Sequence, residues 1–75
     1  QRPLAIAAYN AGEHRIDRWI KGKEGVPIDI WIESIPFKET RNYVKNVLAF
    51  NVVYAHLLGN PVDVLQDAEK FVRPR

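Results

Sequence analysis

Two short runs of this 75-residue chain hold the side chains best placed to act on a ligand. In the first, Ala8-Tyr9-Asn10-Ala11-Gly12, a phenol and a carboxamide stand side by side at what reads as a helix end, within reach of a neighbouring cleft. The plainer reading is a helix C-cap with one packed tyrosine. The second run extends from Trp31 to Tyr43. There Glu39 and Tyr43 are four apart on a helix, so both point to one face and can share a hydrogen bond or a ligand. Against this, a carboxylate in the first turn of a helix commonly complements the free amides and the dipole. Glu33 and Glu39 invite comparison with the acid and base of a sugar-cleaving enzyme. Pro36 separates them, however, and nothing fixes the spacing of about 5 or 6.5 to 9.5 Å that such pairs use.

Other candidates are weaker. His14 and His56 have no carboxylate at ligand spacing, so no metal site is expected, and with no cysteine in the chain, thiolate zinc sites, disulfides and cysteine nucleophiles are excluded. No cofactor is implied. Trp19 and Trp31 are able to stack on sugar rings, but in so short a chain tryptophan more often supplies core or interface mass. Asn51, among apolar neighbours, is a buried-polar candidate that needs a hydrogen-bond partner.

The elements that must position these groups follow from spacing. Residues 4–9 are good helix formers, and Asn10-Ala11-Gly12 stops them. From Glu13, apolar Ile16, Trp19 and Ile20 fall at i, i+3 and i+4, which predicts a short amphipathic helix. Two glycines and a proline among charges mark residues 21–27 as an exposed loop. Ile28, Ile30 and Ile32 then alternate with Asp29, Trp31 and Glu33, the pattern of a half-buried strand. No second alternating run exists to pair with it, so it either pairs with sequence outside the chain or is a short helix or extended loop, and the non-strand reading is favoured. Residues 37–58 form the main element, free of Gly and Pro and stopped by Gly59-Asn60-Pro61. Its second half is apolar on nearly every side, which predicts a central, buried helix for which the chain supplies too few neighbours. A last short helix is expected over residues 64–71.

Size and charge narrow the function classes. A chain of 8.7 kDa allows one small domain, marginal without a partner. The net charge is +2, with basic and acidic residues balanced over residues 1–36, so the one-signed stripe of a nucleic-acid surface is missing. No apolar run reaches the length of a membrane span. The small-residue run that begins immediately after Gln1-Arg2-Pro3 reads as a helix without its beginning, so the chain is expected to be part of something larger.

The ordered runs Ala7-Ala8-Tyr9-Asn10-Ala11-Gly12, Arg15-Ile16-Asp17-Arg18-Trp19 and Trp31-Ile32-Glu33-Ser34-Ile35-Pro36-Phe37-Lys38-Glu39-Thr40-Arg41-Asn42-Tyr43-Val44-Lys45-Asn46-Val47-Leu48 together resemble the C-terminal half of the soluble lytic transglycosylase catalytic domain. The resemblance covers roughly residues 4–59. It implies an all-α, lysozyme-like fold of the goose type, residues 1–75 forming its C-terminal helical portion around one long buried helix. It also implies a bacterial, periplasmic setting and cleavage of the β-1,4 bond between N-acetylmuramic acid and N-acetylglucosamine, without hydrolysis, to a 1,6-anhydro-muramyl end.

In that family one glutamic acid does the proton work, and both its Glu-Ser motif and a Gly-Leu-Met-Gln motif lie upstream of Ala-Tyr-Asn. The resemblance therefore implies no catalytic residue in this chain, the acid lying before Gln1. Glu33-Ser34 corresponds instead to a separate, non-catalytic Glu-Ser. The residues that carry over are substrate-binding. Tyr9 and Asn10 match the Ala-Tyr-Asn motif lining the cleft. Glu39 and Tyr43 match the Glu-Thr-Arg-x-Tyr motif, whose glutamate contacts sugar subsites and whose tyrosine bonds near the acid. The implied partners are a peptidoglycan glycan strand and the N-terminal part of the same domain. The rival reading is a non-catalytic helical module that binds glycan or protein through Tyr9, Trp19, Trp31 and Tyr43.

Overall fold

A computed structural model describes residues 1–59 and 70–73. Four helices follow in order: α1 (Arg2–Ala11), α2 (Glu13–Ile20), α3 (Ile28–Glu33) and α4 (Lys38–Leu57). The all-α expectation holds. Pro3 sits in the first turn of α1, where its missing N–H costs nothing, and is itself buried. Gly12 ends α1 and begins α2 in one residue. Its φ of +96° and ψ of 147° lie in a region open essentially to glycine alone, and its N–H donates to the Ala8 carbonyl at 2.8 Å. A Cβ there would touch nothing within 4 Å, so backbone conformation and not space selects glycine. The abrupt reversal leaves Tyr9 and Asn10 in the last turn of α1, at its rim.

Helix α2 buries Ile16 and Ile20, as its spacing requires. Residues 28–33 are helical, and the reason is visible in what they bury. Ile28, Trp31 and Ile32 point inward at i, i+3 and i+4, while Ile30, the middle member of the alternating isoleucines, is 58% exposed. A strand would have sent Trp31 outward with Asp29 and Glu33. Ser34 closes the turn, its Oγ donating to the Trp31 carbonyl at 2.6 Å.

The core is one cluster made by Leu4, Ala7, Ile16, Ile20, Ile28, Trp31, Ile32, Ile35, Val44 and Val72. Helix α4 enters it mainly through its first half, where Thr40 and Val44 are buried, with the half-buried Leu48 packed against the cluster from the second half. The expectation of burial all round the second half needs correction for this chain: Phe50, Val53, Tyr54, Leu57 and Leu58 are exposed, and Phe50 and Tyr54 stack on one another at 6.0 Å. The physical cause is the one anticipated, a shortage of neighbours. It shows in the shape, 38 × 24 × 17 Å, whose long axis exceeds the roughly 30 Å of a 20-residue helix. Asn51, expected to be buried, is half-buried.

Of the helix expected over residues 64–71, residues 64–69 lie outside the described part, and Phe71 is not helical. It pairs antiparallel with Pro27. Backbone bonds from Gly25 to the Val72 carbonyl (2.9 Å), from Val72 to the Val26 carbonyl (2.8 Å) and from Ile28 to the Lys70 carbonyl (2.8 Å) secure this segment and seat Val72 in the core. The Gln1 carboxamide brackets it from the other side, Nε2 donating to the Phe71 carbonyl at 2.6 Å and Oε1 accepting from the Arg73 N–H at 3.0 Å. Gln1→Ala should therefore cost about 1 kcal/mol locally and speed amide exchange at Arg73 by about fivefold, with little change on α4. Equal exchange rates in the two proteins would show that the clamp contributes nothing.

Candidate functional site

The end of α1 packs on the start of α4, and this contact assembles three of the four substrate-binding candidates. Ala7, fully buried, lies one turn before Asn10 on the face that meets α4. Thr40, 1% exposed, receives that face, its Oγ1 donating to the Asn10 Oδ1 at 2.6 Å. Tyr9 precedes Asn10 by one position and Tyr43 follows Thr40 by three, and their rings stack with centroids 6.4 Å apart and planes 20° from parallel. Tyr9 is 84% exposed and Tyr43 half-buried, so the stack has an inner member fixed by the helix contact and an outer member open to solvent. The result is a rim that offers an aromatic face next to a carboxamide.

Glu39 lies one turn before Tyr43 on the same row of α4 and is exposed. The expected bond between Glu39 and Tyr43 is not made; Tyr43 turns its ring to Tyr9 instead, and among the described residues Glu39 has no ion-pair or hydrogen-bond partner. Its carboxylate is available to a ligand lying along the α4 side of the rim. Glu33 is drawn elsewhere, into an ion pair with Lys45 across the α3–α4 corner. That contact is solvent-exposed on both sides and counts for little in stability.

The tryptophans divide. Trp31 is 1% exposed and core, its Nε1 donating to the Trp19 carbonyl at 3.1 Å, so a recognition surface that includes Trp31 is ruled out. Trp19 is half-buried and meets Phe37 edge-on at 5.2 Å, while the Arg15 guanidinium covers the same phenylalanine at 4.7 Å. This cluster braces the loop that leads into α4. His14 and His56 are both exposed. Thr40 is the residue that spacing had not singled out. The signal was there, since Thr40 falls on the apolar row with Val44 and Leu48, and a hydroxyl on a core-facing row must find a partner across the interface.

Comparison with known proteins points to one family. Residues 34–62 match the family model for the soluble lytic transglycosylase helical domain. The soluble lytic murein transglycosylase of Salmonella typhimurium is 45% identical over 69 residues, 91% of this chain and 11% of that protein. A soluble lytic murein transglycosylase sequence from Enterobacter cloacae is 57% identical over 37 residues, 49% of this chain and 88% of that sequence. The X-ray structure of lytic transglycosylase Slt from Pseudomonas aeruginosa, an inactive mutant with glutamine in place of one glutamate, superposes with a TM-score of 0.88 at 45% identity, covering 95% of this chain and 12% of that one. The chain thus spans little more than a tenth of the length of the full-size relatives it matches. With a sequence likeness of this strength running through the very helices that build the rim, the chain belongs to the soluble lytic transglycosylase family.

Proposed function

We propose that residues 1–75 are the C-terminal portion of a lytic transglycosylase catalytic domain and form one wall of its glycan cleft. Tyr9, Asn10, Glu39 and Tyr43 hold the saccharide, and the proton-transferring glutamate stands on sequence before Gln1. The observation that carries the reading is the junction of α1 and α4, where side chains far apart in sequence share one rim. An aromatic face supports the apolar face of a pyranose ring. The carboxamide and the carboxylate beside it take up the hydroxyl and amide groups around its edge.

In the reaction proposed for the whole domain, the glutamic acid protonates the glycosidic oxygen of a MurNAc-β-1,4-GlcNAc bond. Its carboxylate then accepts the proton of the muramyl C6 hydroxyl as that oxygen attacks C1, closing the 1,6-anhydro ring and releasing the other strand end. A general acid of this kind requires an apolar enclosure. Neither Glu33, exposed and paired with Lys45, nor Glu39, exposed on the rim, lies in one. The loss of activity on replacing a glutamate in the Pseudomonas relative accords with a single essential carboxyl. The exposed apolar half of α4 supports the same division of labour. A contiguous patch containing Phe50, Val53, Tyr54, Leu57 and Leu58 suits burial against the remainder of the same polypeptide. The proposed setting is the periplasm, where murein lies; among the described residues no helix is long and apolar enough to cross a membrane.

Purified murein sacculi provide the test. The 75-residue chain should release no 1,6-anhydro-muropeptides, and the full-length polypeptide that contains it should release them. Product from the chain alone would move the catalytic role to Glu33 or Glu39. Binding of murein without turnover by the full-length protein would favour a non-catalytic binding module.

A further inference from the structure

We propose that Thr40 is a positioning residue: its buried hydroxyl fixes the carboxamide of Asn10 so that Asn10 meets the glycan only as a hydrogen-bond donor, toward an acetamido carbonyl oxygen. The claim rests on the glycan-cleft reading of the rim given above. A carboxamide is nearly symmetric in shape, so sterics alone leave it free to present either its oxygen or its NH2 to a ligand. The partner that holds the other end is a hydroxyl, able to donate to the oxygen or accept from the NH2, so the end that faces outward is set by the bond it makes. Here that partner is Thr40, the third residue of α4, 1% exposed and bonded through Oγ1–H to Oδ1 at 2.6 Å. Its β-branched side chain has few rotamers in a helix, and its methyl group shares the core-facing row with Val44, so the hydroxyl is held in place by packing.

With Oδ1 engaged inward, Nδ2 is the outward end of the same planar group. It has no protein partner among the described residues, yet no buried side-chain nitrogen or oxygen of the described residues lacks a partner, so Nδ2 is reachable from solvent. Neither of its hydrogens is taken by a protein acceptor among the described residues, and Asn10 directly follows Tyr9, the outer ring of the stack, in α1. A murein strand carries N-acetyl groups on successive sugars, and their carbonyl oxygens accept but never donate. A donor fixed at the rim selects such an oxygen and disfavours the ammonium group of a de-N-acetylated sugar.

The test uses the full-length polypeptide and a soluble N-acetylated murein tetrasaccharide. Thr40→Val keeps the shape and removes the hydroxyl. It should raise KM by about tenfold, the effect of one well-placed hydrogen bond, and leave kcat within about threefold. Thr40→Ser restores the hydroxyl and should bring KM back to within about twofold of wild type. An unchanged KM in Thr40→Val, or a Thr40→Ser protein as impaired as Thr40→Val, overturns the proposal. Selective 15N-asparagine labelling gives a readout independent of turnover: the side-chain amide signal of Asn10 should move in Thr40→Val and stay in place in Thr40→Ser. If the wild-type protein releases no product, the glycan-cleaving reading fails, while the amide signal still decides the assignment of Thr40; a signal unmoved by Thr40→Val refutes it.

Discussion

Trp31→Ala should remove about 3–5 kcal/mol of stability, the range measured for emptying a large aromatic site in a packed core. Few single changes in this chain should do more. Trp31 is the largest of the fully buried side chains, 1% exposed, and α3 has only six residues, so the helix has little reason to persist once its central anchor is gone. The indole also carries the Nε1 bond to the Trp19 carbonyl, which ties α3 to α2. Its loss leaves that carbonyl without its indole donor and the cavity lined by side chains that belong to different helices. Against a total stability of about 5–15 kcal/mol for small domains, a deficit of this size removes a large share of the margin. Urea denaturation followed by circular dichroism reads it directly. Trp31→Phe separates the two contributions, since it keeps most of the volume and lacks the donor; a cost of about 1–2 kcal/mol is expected. A Trp31→Ala protein within about 1 kcal/mol of wild type would mean that the core is organised around something else.

Trp31 also shows where local pattern falls short. In residues 28–33 two periodicities overlap, the isoleucines at 28, 30 and 32 and the apolar set 28, 31, 32 and 35, and only the second is buried. Counting isoleucines gives a strand; asking which positions a six-residue segment is able to bury between α2 and α4 gives a helix. The absence of a second alternating run tipped the balance correctly, because an unpaired strand leaves a ladder of backbone groups unsatisfied. Helices α1, α2 and α4 were legible because their stops are chemical: Gly12, the loop around Gly22 and Gly25, and Gly59.

Two features were not legible, for one shared reason. The docking of residues 70–72 beside residues 25–28 and the approach of Asn10 to Thr40 join segments distant in the chain, and no periodicity within either segment records the other. Resemblance to a family brought Tyr9, Asn10, Glu39 and Tyr43 together as a group. It did not reveal that the two tyrosines stack while Glu39 stands apart. The exposed half of α4 makes the complementary point. Its composition was read correctly as apolar on nearly every side, but Phe50, Val53, Tyr54, Leu57 and Leu58 stay exposed, because sequence records which residues are apolar and not what lies against them.

The contact between α1 and α4 is the link between packing and the proposed function, and Ala7→Leu tests it. Ala7 has no exposed surface and lies one turn before Asn10, whose carboxamide meets Thr40 of α4. Leucine adds three carbons at a fully buried position, an overpacking that typically costs about 1–3 kcal/mol because neighbours must move. The movement has a direction. Asn10 lies one turn farther on the same face, so pushing α1 outward lengthens the 2.6 Å bond from Thr40 and slides Tyr9 off Tyr43. A displacement of about 1 Å in groups that orient a substrate is able to lower turnover by about a hundredfold. In the full-length polypeptide, Ala7→Leu should thus lose far more of the proposed murein-cleaving activity than its modest fall in melting temperature suggests. Two controls isolate the cause. Ala5→Leu adds the same side chain to an exposed position of the same helix and should stay within about 0.5 kcal/mol of wild type with activity intact. Ala7→Gly costs about 1 kcal/mol through helix propensity alone and, because it pushes nothing, should retain most of its turnover. If Ala7→Gly and Ala7→Leu lose activity equally, stability and not helix separation governs the rim, and the coupling drawn here between the α1–α4 spacing and the site is wrong.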